Sequence, residues 1–341
     1  MKRIVAVDIA KAICIILVIT GHYIPENSPG GYAVLNKFIY SFHMPLFMFA
    51  SGYIYMETKK EESYGSFLLK KIKRLMVPYF SVSVIVVTIK LLSKNIAYVE
   101  DPVSWYAYLG ILYRPSAAAF FWFIWALFII FLIVPLFKTR ASRLLLFFAS
   151  TVLDFLPVPL PAVFCLPQVK DMLVYFMLGV IFVDLKAIQK TALKIPSVLV
   201  YVLFLGLFSF RFIFMDSANL DTDIGWPLFL VYKLIPYLGI FSICKLSISI
   251  SHLKIHPKHW LLIVADNTYI IYLLHTTFMG FAKALLHKTP ALLDTQNQLI
   301  FTAISICIII IGVICPILLN IWCLQKNKTL CYLFGLKYSK Y

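Results

Sequence analysis

The sequence predicts an all-α polytopic membrane protein: a bundle of about ten transmembrane helices with both N-terminus and C-terminus cytoplasmic. Three observations predict it. Of 341 residues, 62% are hydrophobic and 13% charged, with a mean hydropathy of +0.89. A soluble domain is nearer half apolar and a quarter charged, so much of this excess must face lipid. Ten apolar runs approach the roughly 20 residues needed to cross a bilayer. Basic residues also recur on alternate connections between those runs. This composition excludes a secreted disulfide scaffold, a disordered chain and a soluble Rossmann or barrel enzyme.

The expected spans are 4–23, 37–56, 75–93, 119–137, 143–160, 171–185, 196–215, 226–245, 260–283 and 299–323. Pro157, Pro159, Pro161 and Pro167 break the chain between the fifth and sixth, because proline removes a helical hydrogen bond and clashes with the preceding turn. No window alternates strictly over strand lengths, which argues against a membrane β-barrel. The first run resembles a signal peptide only superficially. Asp8 and Lys11 interrupt it and no small-residue cleavage site follows before Gly21-His22-Tyr23, so it is expected to be a retained helix. Residues 1–325 are expected to form one membrane domain and 326–341 a short basic cytoplasmic tail.

Placing the N-terminus inside puts 21 of the 31 lysines and arginines on inner segments. These are Lys2 and Arg3, then the stretches from Lys59 to Arg74, Lys138 to Arg143, Lys186 to Lys194, Lys245 to Lys258 and Lys326 to Lys340. The outer loop 215–225 instead carries Asp216, Asp221 and Asp223. That is the positive-inside pattern of a multi-pass protein of the cell membrane. It accounts for the net charge of +16 by position in a lipid bilayer, so no nucleic acid is expected as partner. The seven cysteines are scattered, mostly through apolar runs, and read as small packing residues. His252, His256 and His259 have no carboxylate or cysteine with them and Pro257 intervenes, so no metal is expected there.

Ionisable groups at membrane depth are costly and usually functional. The first span holds Asp8, Lys11 and His22. Eleven residues at about 100° each bring His22 back to within about 20° of Lys11, about 16 Å along the axis. Asp8 lies three residues before Lys11, close enough to pair with it. The set reads either as a charge pair settling a helix in its bundle or as a functional face. His43 opens the second span ahead of Pro45, and reads as a hydrogen-bonded structural histidine or a site residue. Ser51 and Gly52 are small enough to let helices approach closely. Lys70, Lys71, Lys73 and Arg74 are either a plain positive-inside anchor or a cytoplasmic phosphate site. Trp122 and Trp125 belong to an interfacial aromatic belt or stack on a sugar face. Asn267, Tyr269, Tyr272 and His275 exceed what a lipid-facing helix tolerates, so one side of the ninth span lines an interior.

Together these residues form a set that resembles the acyltransferase-three family of membrane acyltransferases. The resemblance rests on Lys11 with His22, on F-H-M-P-L-F-M-F-A-S-G-Y (Phe42 to Tyr53), on K-x-x-R-L-x-x-P-Y (Lys71 to Tyr79), on F-W-F (Phe121 to Phe123) and on N-T-Y-I-I-Y-L-L-H (Asn267 to His275). It covers residues near 5 to about 280 in order. It is closest to a shorter branch that resembles sugar O-acetylases such as those acting on fucose. The family usually carries arginine where this chain has Lys11, and often where it has Lys71.

The resemblance implies transfer of an acyl group, commonly acetyl from acetyl-CoA, to a hydroxyl of a cell-surface or lipid-linked carbohydrate. Acyl-CoA is then a co-substrate and no cofactor is permanently bound. Under this reading Lys70, Lys71, Lys73 and Arg74 meet the CoA phosphates from the cytoplasm. His22 is the general base, with Lys11 and Asp8 organising its face, and His43, Trp122, Asn267, Tyr269 and His275 meet the glycan. A transporter or flippase of a lipid-linked sugar suits the many helices and intramembrane charges equally well. What separates the two is the histidine set joined to one basic cytoplasmic mouth, without the two matching halves of many transporters.

Overall fold

Where the chain turns away from the expected helices, proline and short polar side chains are the cause. The computed structural model describes residues 4–23, 28–216, 226–253, 256, 259–289 and 297–338. Lys2, Arg3, Asp221, Asp223, Lys254, Pro257, Lys258 and Lys340 lie outside them, as does the side chain of Asp216. Among the described residues every regular element is helical: α1 Val5–His22, α2 Gly30–Tyr40, α3 His43–Glu57, α4 Tyr64–Lys71, a π-helical turn Ile72–Met76, α5 Val77–Ser93, α6 Ala107–Gly110, α7 Trp122–Ile133, α8 Arg140–Phe155, α9 Leu166–Asp184, α10 Lys186–Lys194, α11 Ser197–Arg211, α12 Trp226–Ser251, α13 Trp260–Asp266, α14 Thr268–Leu286, α15 Gln298–Trp322 and α16 Lys328–Leu333. Among the described residues, eight helical stretches are long and apolar enough, by length and composition, to cross a membrane. Of the ten expected spans, the second and fifth correspond to shorter helices, α3 with 15 residues and α8 with 16.

The second expected span, 37–56, is two helices. Pro45 cannot sit in a helix interior, because its ring would strike the carbonyl four residues back, at Ser41. It fits in the first turn of a new helix. The chain therefore breaks at Phe42 (φ −149°, ψ −13°) and α3 restarts at His43. The expected ninth span, 260–283, is likewise divided at Asn267. There the Asn267 side chain donates to the Ile263 carbonyl at 2.8 Å and Thr268 Oγ1 donates to those of Val264 and Ala265. Such local side-chain bonds compete with the helical ladder.

The chain forms two compact units, residues 1–58 with 175–268, and residues 59–174 with 269–341. In the first, α1 packs against α3, α12 and α13. The helix α3 and the second half of α9 cross backbone to backbone: a Cβ on Gly52 would run into the Phe176 carbonyl, and one on Gly179 into that of Phe49. This is the close approach expected of Gly52. On α11, Val198, Val202 and Leu205 are more than half exposed, an apolar outer face suited to lipid.

In the second unit α4, the π turn and α5 run on as one rod from Tyr64 to Ser93. Pro78 has no N–H to give the Arg74 carbonyl four residues back. The turn just before it is wound wider, with the Val77 N–H donating to the Ile72 carbonyl five residues back. Such π turns are frequent at functional sites. Tyr79 is fully buried and its hydroxyl donates to the carbonyls of Ile111 and Arg114, at 2.9 and 3.0 Å.

Candidate active site

The first unit holds Asp8, Lys11, His22, His43 and Asn267. Helix α1 is unbroken from Val5 to His22, so Lys11 and His22 keep the spacing that aligns them. Between them on that face lie Ile15 and Val18, 0% and 1% exposed. The face therefore turns into the protein and not toward lipid. Lys11 Nζ pairs with Asp8 Oδ1 at 2.7 Å, with side chains 25% and 15% exposed. That is enough burial for the pair to matter and enough opening for it to be reached.

His22 ends α1, where the last carbonyls have no helical donors. Helix α2, in what reads from sequence as an outer loop, supplies them. Asn36 Nδ2 donates to the Gly21 carbonyl at 3.0 Å, and the Tyr32 hydroxyl to those of Tyr23 and Thr20 at 2.7 and 3.0 Å. Burial and the neighbouring Tyr23 and Tyr40 push the Tyr32 phenol well above its usual pKa, so it stays a donor. The third residue of this row, Tyr40, stands edge-on to His22 at 6.4 Å and to His43 at 4.8 Å between ring centroids. His43 is 2% exposed, with Nδ1 2.9 Å from the Ile39 carbonyl. Its own carbonyl accepts the Cys14 thiol at 3.3 Å. Tyr32, Asn36 and Tyr40 are functional candidates that reading by spans passed over. Their spacing of four and four, which stacks them on one helical face, was the available signal.

The second unit holds Lys70, Lys71, Lys73, Arg74, Trp122, Tyr269 and His275. The four basic residues do not act alike. Lys70 Nζ is held by Glu62 Oε2 at 2.5 Å. That ammonium keeps the exposed Glu62 carboxyl below the usual carboxylate range. Lys71 Nζ lies 3.6 Å from the Phe131 ring centroid and 5.1 Å from that of Phe67, a cation seated on aromatic faces. Lys73 and Arg74 are exposed. Trp122 is half-buried at the start of α7, between the buried Phe121 and Phe123. His275 is fully buried. Its Nδ1 lies 2.9 Å from the Tyr272 carbonyl and its ring 4.9 Å from that of Phe120. The Tyr272 hydroxyl donates to the Phe120 carbonyl at 2.5 Å. These contacts tie α14 to the segment entering α7.

The class comes from comparison with known proteins. The acyltransferase domain family matches residues 4–320, and the chain belongs to that family. It is also similar to the nodulation protein NolL of Sinorhizobium fredii (strain NBRC 101917 / NGR234), 26% identical over 213 residues, which are 59% of this chain and 54% of that protein. The nodulation protein NolL of Mesorhizobium japonicum (strain LMG 29417 / CECT 9101 / MAFF 303099) is 27% identical over 188 residues, 53% of this chain and 48% of that protein. The chain thus spans about half the length of these curated relatives. No solved structure matches.

Proposed function

We propose that this protein is a multi-pass O-acyltransferase of the cell membrane. It moves an acyl group, commonly acetyl, from cytoplasmic acyl-CoA to a hydroxyl of a cell-surface or lipid-linked carbohydrate. In this reading α3 and α8 join the eight long apolar helices to make ten crossings, with both termini cytoplasmic. Residues 1–325 form the membrane domain and 326–341 lie on the cytoplasmic side. The observation that carries the reading is the inward face of α1, with Lys11 and Asp8 toward one end and His22 at the other.

A sugar hydroxyl is a weak nucleophile until its proton is removed during attack. His22 is the base, because imidazole changes charge near neutral pH. The hydroxyl oxygen attacks the thioester carbonyl carbon and its proton passes to His22. The new C–O bond forms, the C–S bond breaks, and the imidazolium returns the proton to the departing CoA sulfur. Lys11, held by Asp8 and about 16 Å from His22 along the axis, organises the inward face of α1 on which His22 acts. Lys73 and Arg74, with Lys70 and Lys71 beside them, hold the CoA phosphates. His43, Trp122, Asn267, Tyr269 and His275 shape the acceptor side.

Mass spectrometry of surface glycans from cells with and without this chain tests the reading. The expected result is the loss of one acyl increment, whose mass also identifies the donor. Identical glycan masses in both strains would overturn it.

A further inference from the structure

The last helix lies beyond the stretch matched by the family, which ends at residue 320, yet it closes on the family's own motifs. Asn327 Oδ1 caps α16 by accepting from the N–H groups of Thr329 and Leu330, at 2.8 and 3.2 Å. The helix ends in a reversed turn. The Leu336 N–H donates to the Cys331 carbonyl at 2.8 Å and the Gly335 N–H to that of Tyr332 at 3.2 Å, the pattern of a glycine-terminated helix. Gly335 has φ +66°, a conformation that costs any residue with a Cβ. Space is restricted as well. A Cβ there would lie 2.6 Å from Pro78 Cγ, 2.9 Å from the Arg74 carbonyl oxygen and 3.2 Å from Tyr269 Cε1. The Ser81 hydroxyl donates to the Leu333 carbonyl, fastening the same segment one turn further along α5.

We propose that the Gly335 turn is a positioning element for the acyl-donor end of the site. It seats against the backbone of Arg74 and the ring of Tyr269 at once, and so fixes where the Arg74 guanidinium is presented. The contact falls on the carbonyl that Pro78 leaves without its α-helical donor. A glycine is required because only a bare α-carbon clears all three neighbours. This inference rests on the reading of Arg74 as a phosphate-binding residue.

The test uses the full chain in lipid nanodiscs with acetyl-CoA as the probe, measuring affinity by calorimetry at several salt concentrations and thermal midpoint in parallel. G335A is expected to weaken acetyl-CoA binding about tenfold, the worth of one charge-assisted contact. The dependence of affinity on salt should become shallower, because one cation no longer faces the phosphates. A general loss of structure would lower the midpoint and leave that slope unchanged. S81A removes the second tether without adding volume and is expected to move affinity and slope the same way by a smaller step. If G335A does not fold, S81A decides. Wild-type affinity and slope in the folded variant would overturn the proposal. Failure of the unaltered chain to bind acetyl-CoA would overturn the donor reading itself, and this inference with it.

Discussion

The Tyr40 ring meets the His43 ring edge-on, 4.8 Å between centroids at 73°, and the same tyrosine also faces His22. One aromatic side chain thus spaces the two histidines on the first two motifs. Gly21 makes room for it, since a Cβ there would lie 3.2 Å from Tyr40 Cε2. An aromatic contact of this kind contributes about 0.5–1.5 kcal/mol beyond burial. Y40F, which keeps the ring, is expected to retain most of the turnover, and Y40A to lose about tenfold. Release of free CoA thiol from acetyl-CoA in the presence of acceptor measures both. Full activity in Y40A would remove Tyr40 from the site.

Lys11 and Asp8 form the ion pair at 2.7 Å. K11R keeps the charge and adds the forked donors that the family resemblance assigns to this position, so it is expected to work within a few-fold of the wild type. K11M strands the mostly buried Asp8 carboxylate and should lower both the thermal midpoint and the turnover, the latter about tenfold. If K11M instead changed only the KM for donor, Lys11 would be a donor-binding residue and not an organiser of the His22 face.

Glu62 restrains Lys70 on the basic segment. Its carboxyl is held below the usual range by that ammonium, so the pair is intact at neutral pH. It is lost as the pH falls through the lowered value, when Glu62 takes up a proton. E62Q should free Lys70 at neutral pH and tighten acetyl-CoA binding about twofold at low salt. The gain should vanish near 1 M salt, where exposed charges are screened within about 3 Å. Unchanged affinity at low salt would show that Lys70 does not reach the donor.

G52A drives a methyl group into the Phe176 carbonyl at the crossing of α3 and α9. Overpacking of this kind costs about 1–3 kcal/mol, so a lower thermal midpoint and less monodisperse protein are expected. G206A on α11, where an added Cβ meets nothing within 4 Å, should match the wild type in the same assay.

Much of this was legible in the sequence for simple reasons. Hydrophobic runs mark the crossing helices because lipid tolerates little else, and 3.6-residue geometry alone aligns Lys11 with His22 along α1. The breaks at Phe42 and Asn267 were written in Pro45 and in the Asn267-Thr268 pair, but hydropathy averages over such points. Helix α2 was missed because Gly30–Tyr40 is too polar and short for a span. Its Tyr32, Asn36 and Tyr40 show their purpose only beside the open carbonyls at the end of α1. The basic segment looked uniform in sequence. Only the fold shows Lys70 held by Glu62 and Lys71 seated on Phe131, while Lys73 and Arg74 are left exposed. The fit of Gly335 against Pro78, Arg74 and Tyr269 joins residues about 60 to 260 positions apart, a relationship no local pattern carries.

In the proposed mechanism the imidazole at the end of α1 removes the proton from the acceptor hydroxyl. Turnover of purified H22A in nanodiscs, with acetyl-CoA and a glycan extract from cells lacking the protein, tests it directly. The expected result is a fall in kcat of about 10²–10⁴, with acetyl-CoA affinity and thermal midpoint unchanged. Turnover within a few-fold of the unaltered protein would rule out His22 as the base.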